Sequence, residues 1–321
     1  MRGVLRVRGW IAAAALACAG LALAAPADES VREVVGGPAL WRADAPDGGA
    51  LFLLGSVHLG KARIVDFGPT IDAAWQRSDE LVVEVDVPRL DAAEAARLTQ
   101  RYGTLPEART VRDVVSKSTG SELAAFLESR GYTGLGVERW KPWFLAFTLV
   151  QLELRRAGYQ LELGVDRLFI QRAQAGKPIV GLETLDSQLA MFDGLSAAQQ
   201  ELMLRDVLLR RERFAEETEE LIETWLSGDE ARLEKLVFSP LEELPELADF
   251  YDVVFFRRNR RMTGTLEELS GDGKTRFVVL GAGHLLGDRG IPHRLADRGW
   301  QLQRVRQPQE VSGKPCEGAA C

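Results

Sequence analysis

Ala50-Leu51-Phe52-Leu53-Leu54-Gly55-Ser56-Val57-His58-Leu59-Gly60 is the stretch on which the fold turns. The apolar run Ala50 to Leu54 has the length of a buried strand, and a G-x-x-H turn follows it directly. The pattern returns near the other end, as Val279-Leu280-Gly281-Ala282-Gly283-His284-Leu285-Leu286-Gly287. Only three histidines occur in the chain, and two of them stand in this matched context. So scarce a residue, used twice in one way, predicts that the fold brings both imidazoles to one site.

Outward from each copy the sequence follows the same plan. After the first turn, Gly68 to Arg77 has helical spacing, and Leu81 to Val85 is an apolar, β-branched run suited to a buried strand. Around the second, Arg276 to Leu280 is a strand, Ile291 to Arg298 a helix and Trp300 to Val305 a strand. Two strand–GxxH–helix–strand units, each expected to make a right-handed parallel crossover, predict an α/β fold with a central, mostly parallel sheet. Between them lies a large helical insertion, about 90–270. Apolar residues recur at i, i+3 and i+4 over Asp91 to Arg101, Ser121 to Arg130, Pro142 to Ala157 and Val165 to Ala175. A longer pattern opens at Ser196 and runs to about Leu226, with Gly228 as its stop; its Glu216 to Glu220 segment reads as a solvated face rather than a metal site. One strand, near 178–183, interrupts the insertion. No linker divides the chain, so residues 25–306 are expected to form one domain.

The predicted strand ends carry the chemistry. His58 and His284 each lie just past a strand, Glu84 stands near the end of Leu81 to Val85, and Glu183 follows Ile179 to Leu182. Ligands of open α/β sheets bind beyond the carboxyl ends of parallel strands. If these strands are parallel, two imidazoles and two carboxylates converge there, a donor set suited to a divalent ion such as Mn²⁺, Co²⁺ or Zn²⁺. His58, His284 and Glu84 are the candidate ligands, and with Glu183 the candidate catalytic residues. Gly55 and Gly281 are expected to permit the tight turns and leave room for a ligand. Glu84, flanked by valines, needs a cation, metal or proton as partner. Asp86 is the fallback on the same strand face, and Glu183 has the alternative of capping the next helix. His293 reads as a surface residue. In the basic run Arg257-Arg258-Asn259-Arg260-Arg261, the neighbouring Phe255, Phe256 and Met262 imply that at least one arginine faces inward, to balance charge or to hold a substrate carboxylate. Arg258 and Asn259 are the substrate-binding candidates.

Composition narrows the field. With 46% hydrophobic and 27% charged residues the chain is that of an ordinary globular protein. A formal net charge of −7 and 7% aromatics exclude nucleic acid as a partner class. There is no G-x-S-x-G elbow, P-loop, H-E-x-x-H helix or complete G-x-G-x-x-G, which removes the corresponding hydrolase, nucleotide and dinucleotide readings. Arg2, Arg6 and Arg8, the apolar stretch Trp10 to Ala25 and the Ala22-Leu23-Ala24 end predict a signal peptide over 1–24 and a periplasmic or secreted protein. No transmembrane segment is expected after its removal. A lipoprotein anchored at Cys18 is the lesser alternative, because leucine stands two rather than three residues before it. Residues 307–321 form a polar tail in which Cys316 and Cys321 are expected to close a disulfide, a small loop.

Together these landmarks resemble the TraB/GumN family, related to the Tiki metalloproteases. The resemblance runs from about Leu40 to Val305. It rests on Leu40-Trp41, Gly55 to His58, Leu81 to Glu84, Gly164-Val165-Asp166, Lys177 to Thr184 with Gln188, Arg258-Asn259 with Met262, and Val279 to Gly287. It implies paired G-x-x-H motifs and a metal-dependent hydrolase site with His58, Glu84 and His284 at its core. A peptidase or amidase acting on a peptide or small-molecule substrate is the leading expectation. The alternatives are a non-catalytic periplasmic peptide- or ligand-binding protein, or an accessory factor in envelope or polysaccharide assembly.

Overall fold

The computed structural model describes residues 37–61 and 66–305. Its strands are β1 (Leu40–Asp44), β2 (Ala50–Ser56), β3 (Glu80–Val85), β4 (Ile179–Glu183), β5 (Thr275–Gly281) and β6 (Gln301–Val305), joined in one sheet of order β4-β3-β5-β2-β1-β6. β5 pairs in parallel with both β2 and β3, and β3 with β4. β1 runs antiparallel to β2 and β6, which leaves β6 pointing the same way as β2. The fold is therefore α/β, with a mostly parallel sheet. Both expected units are present, but neither closes on a neighbouring strand. β5 inserts between β2 and β3, while β6 lies beyond β2 and β1.

Burial explains the sheet's central pattern. Every residue of β2 and of β3 is buried, so these strands read as continuous apolar runs. β1 was legible only as a landmark. Its pattern of burial leaves just Leu40 and Ala43 inside, with no alternation to announce a strand.

The helices are α1 (Gly68–Gln76), α2 (Ala92–Gly103), α3 (Lys117–Arg130), α4 (Pro142–Arg156), α5 (Val165–Ala173), α6 (Leu185–Asp193), α7 (Ala197–Arg210), α8 (Phe214–Ser227), α9 (Glu230–Glu243), α10 (Ala248–Tyr251), α11 (Arg257–Ser270) and α12 (Ile291–Ala296). A five-residue π-helical turn, Asp252–Phe256, joins α10 to α11. The long helix expected from Ser196 to Leu226 is two helices. Ser196 caps α7 and Gly228, at φ 68°, ends α8, but the exposed Arg211-Glu212-Arg213 segment breaks the run before Phe214 re-enters the core. The acidic segment in α8 is also less solvated than expected. Thr218 is buried, and Glu219 accepts from Tyr159 and Lys61.

Two apolar layers flank the sheet. The larger joins Leu54, Leu81 and Val83 to the insertion helices through residues such as Trp143, Phe169 and Trp225. The smaller sets Leu53, Val82 and Val278 against Met262 and Leu266 of α11 and Ile291 and Leu295 of α12. No described helix is long and apolar enough to cross a membrane. The signal-peptide, Cys18 and Cys316–Cys321 expectations lie outside the described residues.

Candidate functional site

The register of β2 against β5 places the two G-x-x-H turns side by side. Gly55 pairs with Leu280 and Ser56 with Gly281, so the strands end together and both turns leave from the same sheet edge. Neither Gly55 nor Gly281 has a positive φ, so backbone conformation is not the reason for glycine here. A Cβ on Gly55 would stand 3.0 Å from Cα and 3.1 Å from Cβ of Ala282, close enough that the facing turn would have to give way. That glycine lets one turn lie against the other rather than making room for a ligand. At Gly283 a Cβ would come within 2.6 Å of the Phe255 ring, whose centroid lies 5.4 Å from that of His284.

Each histidine is anchored through Nδ1. His58 Nδ1 donates to Oδ1 of Asp166 at 3.0 Å, and His284 Nδ1 to Oδ1 of Asn259 at 2.5 Å. Asn259 Nδ2 in turn donates to the Arg289 carbonyl at 2.9 Å, which fixes the direction of its amide. With Nδ1 carrying the hydrogen, Nε2 is left with its lone pair in both neutral rings. Both Nε2 atoms are buried without a hydrogen-bond partner. Buried polar atoms are nearly always satisfied, so two such orphans in one site call for an explanation.

Glu84 lies between these rings and an arginine. Oε1 accepts from the Gly281 amide at 2.7 Å and stands 3.8 Å from His284 Nε2. Oε2 accepts from Gln188 Nε2 at 3.1 Å and from Arg258 Nη2. Glu183, at the end of β4, takes Nε of Arg258 at 3.0 Å and Nη2 at 2.6 Å, together with Gln188 Nε2 at 3.0 Å. Arg258 is 0% exposed. One guanidinium thus binds both carboxylates from the first turn of α11, just where the π-helical turn delivers it. Of its two expected roles, it takes the balancing of site charge. Asn259, also buried, is occupied with His284. Asp86, the fallback, pairs instead with Arg89 at 3.1 Å, and His293 is half exposed beside Asp288.

The charges determine protonation. Burial works against ionised Glu84, but Arg258, the two histidines and the Gly281 amide outweigh it and hold its pKa at about 2. Glu183 is lowered too, where Arg258 overcomes burial. His284 is pushed down to about 4 by burial first and Arg258 second. His58 goes the other way. Burial lowers it, but the charge and hydrogen bond of Asp166 more than compensate.

A cavity of about 20 Å³ lies among His58, Glu84, Asp166 and Gln188, room for a single water. The donor chemistry fits a divalent ion, because two orphaned imidazole nitrogens are what such an ion binds and each ring has the outer hydrogen bond that orients metal-ligating histidines. Among the described residues no group of three His, Cys, Asp or Glu converges as a ready-made cage. Of the two imidazoles only His58 lines that cavity, while His284 Nε2 stands 3.8 Å from Oε1 of Glu84, which also lines it; these three are the residues that would hold an ion.

Two residues central to this geometry had been visible only as landmarks. Asp166 comes from the start of α5, where a Cβ on the preceding Gly164 would lie 2.5 Å from the His58 carbonyl oxygen and Val165 N donates to Val57 O. Gln188 comes from the first turn of α6, directly after β4. For Gln188 the signal that could have identified it is its short spacing from the end of β4, with the Thr184 cap between; Asp166 follows a helix and a 3-10 turn, and only Gly164 marks its close approach to His58.

A family model described as the TraB/PrgY/gumN family matches residues 39–304. The chain is 24% identical over 246 residues to the "Uncharacterized protein YbaP" of Escherichia coli (strain K12), covering 76% of this chain and 86% of that one. It is 22% identical to a "Metalloprotease TIKI homolog" of Amphimedon queenslandica, over 86% of this chain and 63% of the relative. With a protein of the same name from Nematostella vectensis it shares 21% identity, over 81% and 66%. The chain thus spans about two thirds of the length of these TIKI homologues. No solved structure matches.

Proposed function

Because the chain belongs to the TraB/PrgY/gumN family and buries two histidines with unpartnered Nε2 atoms beside an ionised glutamate, we propose that it is a metal-dependent hydrolase of peptide or related amide bonds. The pair of orphaned Nε2 atoms carries the proposal. The names of the TIKI relatives support the class of reaction, and the leader pattern of the sequence is what supports a periplasmic or secreted setting for it.

His58 and His284 are the residues that would hold the ion. Bound there, Mn²⁺, Co²⁺ or Zn²⁺ would polarise the scissile carbonyl and acidify a water. The protein's part is to keep both donors available. His284 stays neutral at pH 7 because burial and Arg258 oppose its protonation, and Asn259 fixes which nitrogen faces the cavity. Asp166 fixes the other ring. Glu84, with a pKa of about 2, is a weak base near neutrality. Its role is to present fixed negative charge beside His284 Nε2, as ligand or electrostatic partner, rather than to carry a proton. Arg258 and Gln188 hold it in place.

The test combines metal analysis of the purified protein, thermal melts with added Mn²⁺, Co²⁺ or Zn²⁺, and a peptide-cleavage screen on wild type, His58→Ala and His284→Ala. Metal-induced stabilisation and cleavage present only in wild type are expected. Equal shifts in all three proteins would place the ion elsewhere and end the paired-histidine reading.

A further inference from the structure

A second, apolar cavity lies next to the buried centre, not within it. It encloses about 620 Å³ and is walled mainly by Leu90, Trp140, Trp143, Phe144, Phe147 and Leu189, on and around α2, α4 and α6. This is the size and apolar character of a small-ligand site rather than a packing gap. Two features join it to the chemistry. Gln188 lines both this cavity and the small one beside His58 and Glu84, so a single side chain stands between them. Arg167, the only charged residue on the wall, directly follows Asp166, the partner of His58. Arg167 is half buried and pairs with no carboxylate among the described residues.

We propose that this cavity is the specificity pocket of the site, and that it receives a bulky apolar side chain of a peptide substrate with an adjacent carboxylate on Arg167. The assignment rests on the hydrolase reading for what is cleaved, but not for what is bound. The aromatic wall supplies burial for the side chain, and none of its residues offers a competing anion. Arg167 is half-buried on the pocket wall with no carboxylate partner among the described residues, so a peptide carboxylate can take its guanidinium with fork geometry. Gln188 becomes a positioning residue. Its Nε2 already donates to Glu84 and Glu183, so movement of its side chain would open the path between pocket and reaction chamber.

Binding and cleavage are measured separately. Blocked heptapeptides differing only in the central residue, Phe, Leu or Ser, each with Asp or Asn beside it, are titrated by calorimetry into the full-length, chelator-treated protein. The Phe and Leu peptides should bind about ten- to a hundredfold more tightly than the Ser peptide, and Asp should improve binding over Asn. Arg167→Gln should abolish the Asp preference and keep the preference for Phe. Ala96→Trp, at an exposed position on the pocket wall, should abolish the preference for Phe. Equal affinity for the Phe and Ser peptides in wild type would overturn the pocket whether or not the variants fold. So would an Asp preference that survives in Arg167→Gln. Cleavage of the same peptides with metal restored, showing no preference at the central residue, would overturn the pocket and leave the hydrolase standing. Selective binding without cleavage under any of the three metals would keep the pocket and remove the hydrolase.

Discussion

Replacing Arg258 by glutamine is the sharpest perturbation the site offers. The arginine is fully buried, and its two partners, Glu84 and Glu183, expose only 8% and 6% of their side chains. Removing one member of a buried ion pair costs about 3–5 kcal/mol, because the remaining charge is stranded. Here two carboxylates are stranded at once, which places the expected loss near about 5 kcal/mol at pH 7. Acid should reverse much of it. Glu84 has a folded pKa of about 2 against an ordinary 4.5, so its pairing contributes fully above pH 4.5 and is lost as pH falls through 4.5 towards 2. That displacement corresponds to about 3 kcal/mol. Without Arg258 both carboxylates protonate more readily, so the variant is relieved over the range in which wild type weakens. Urea unfolding of both chelator-treated proteins, followed by tryptophan fluorescence at pH 7, 5 and 3.5, measures the gap. It should narrow steadily with acid, to about half or less of its neutral value by pH 3.5. A gap below about 1 kcal/mol at pH 7, or one that widens as pH falls, would refute the idea that Arg258 stabilises the site by holding two buried carboxylates.

Two further outcomes follow from the histidines. His284 has a folded pKa of about 4, so between pH 6.5 and 4 the unfolded chain takes up a proton that the folded site refuses, and stability falls as pH drops through that window. His284→Gln should therefore lose less stability than wild type between pH 7 and 4.5 in the metal-free state, and parallel curves would show that His284 is protonated in the fold. Asn259→Ala and Asp166→Ala, which remove the acceptors on Nδ1, should each weaken metal binding about 10–100-fold while leaving both Nε2 donors in place. Unchanged affinity by calorimetric titration would mean that ring orientation is set by packing alone.

How much of this was legible depended on whether the signal was local. The strands Ala50 to Leu54 and Leu81 to Val85 were legible because full burial writes itself as an apolar run, and the paired G-x-x-H turns because histidine is so rare here. The placement of β5 between β2 and β3 was not, since strand order is a property of pairing that no single run contains. β1 was missed because it buries only two of its residues. The break at Arg211 to Arg213 was missed because Val207 and Phe214 stay in phase across it, and the charged run between them reads equally well as a solvated helical turn. Within the site the limit has the same origin. Glu84 could be read as needing a cation, but that the cation is Arg258, from 174 positions away, and that Glu183 shares it, comes from packing.

That shared arginine also explains why one site can hold such different titrating groups. Its charge draws Glu84 and Glu183 into their ionised forms and discourages a proton on His284, so a single buried cation lowers three pKa values together. His58 feels Arg258 as well, but Asp166 offsets it, and the two rings differ in basicity although their sequence motifs match. The repeat in the sequence is therefore symmetric in presentation and asymmetric in electrostatics. At His284 burial and Arg258 prevail and leave a neutral donor across the physiological range, while at His58 the Asp166 carboxylate on Nδ1 outweighs burial and makes that ring the more basic of the pair.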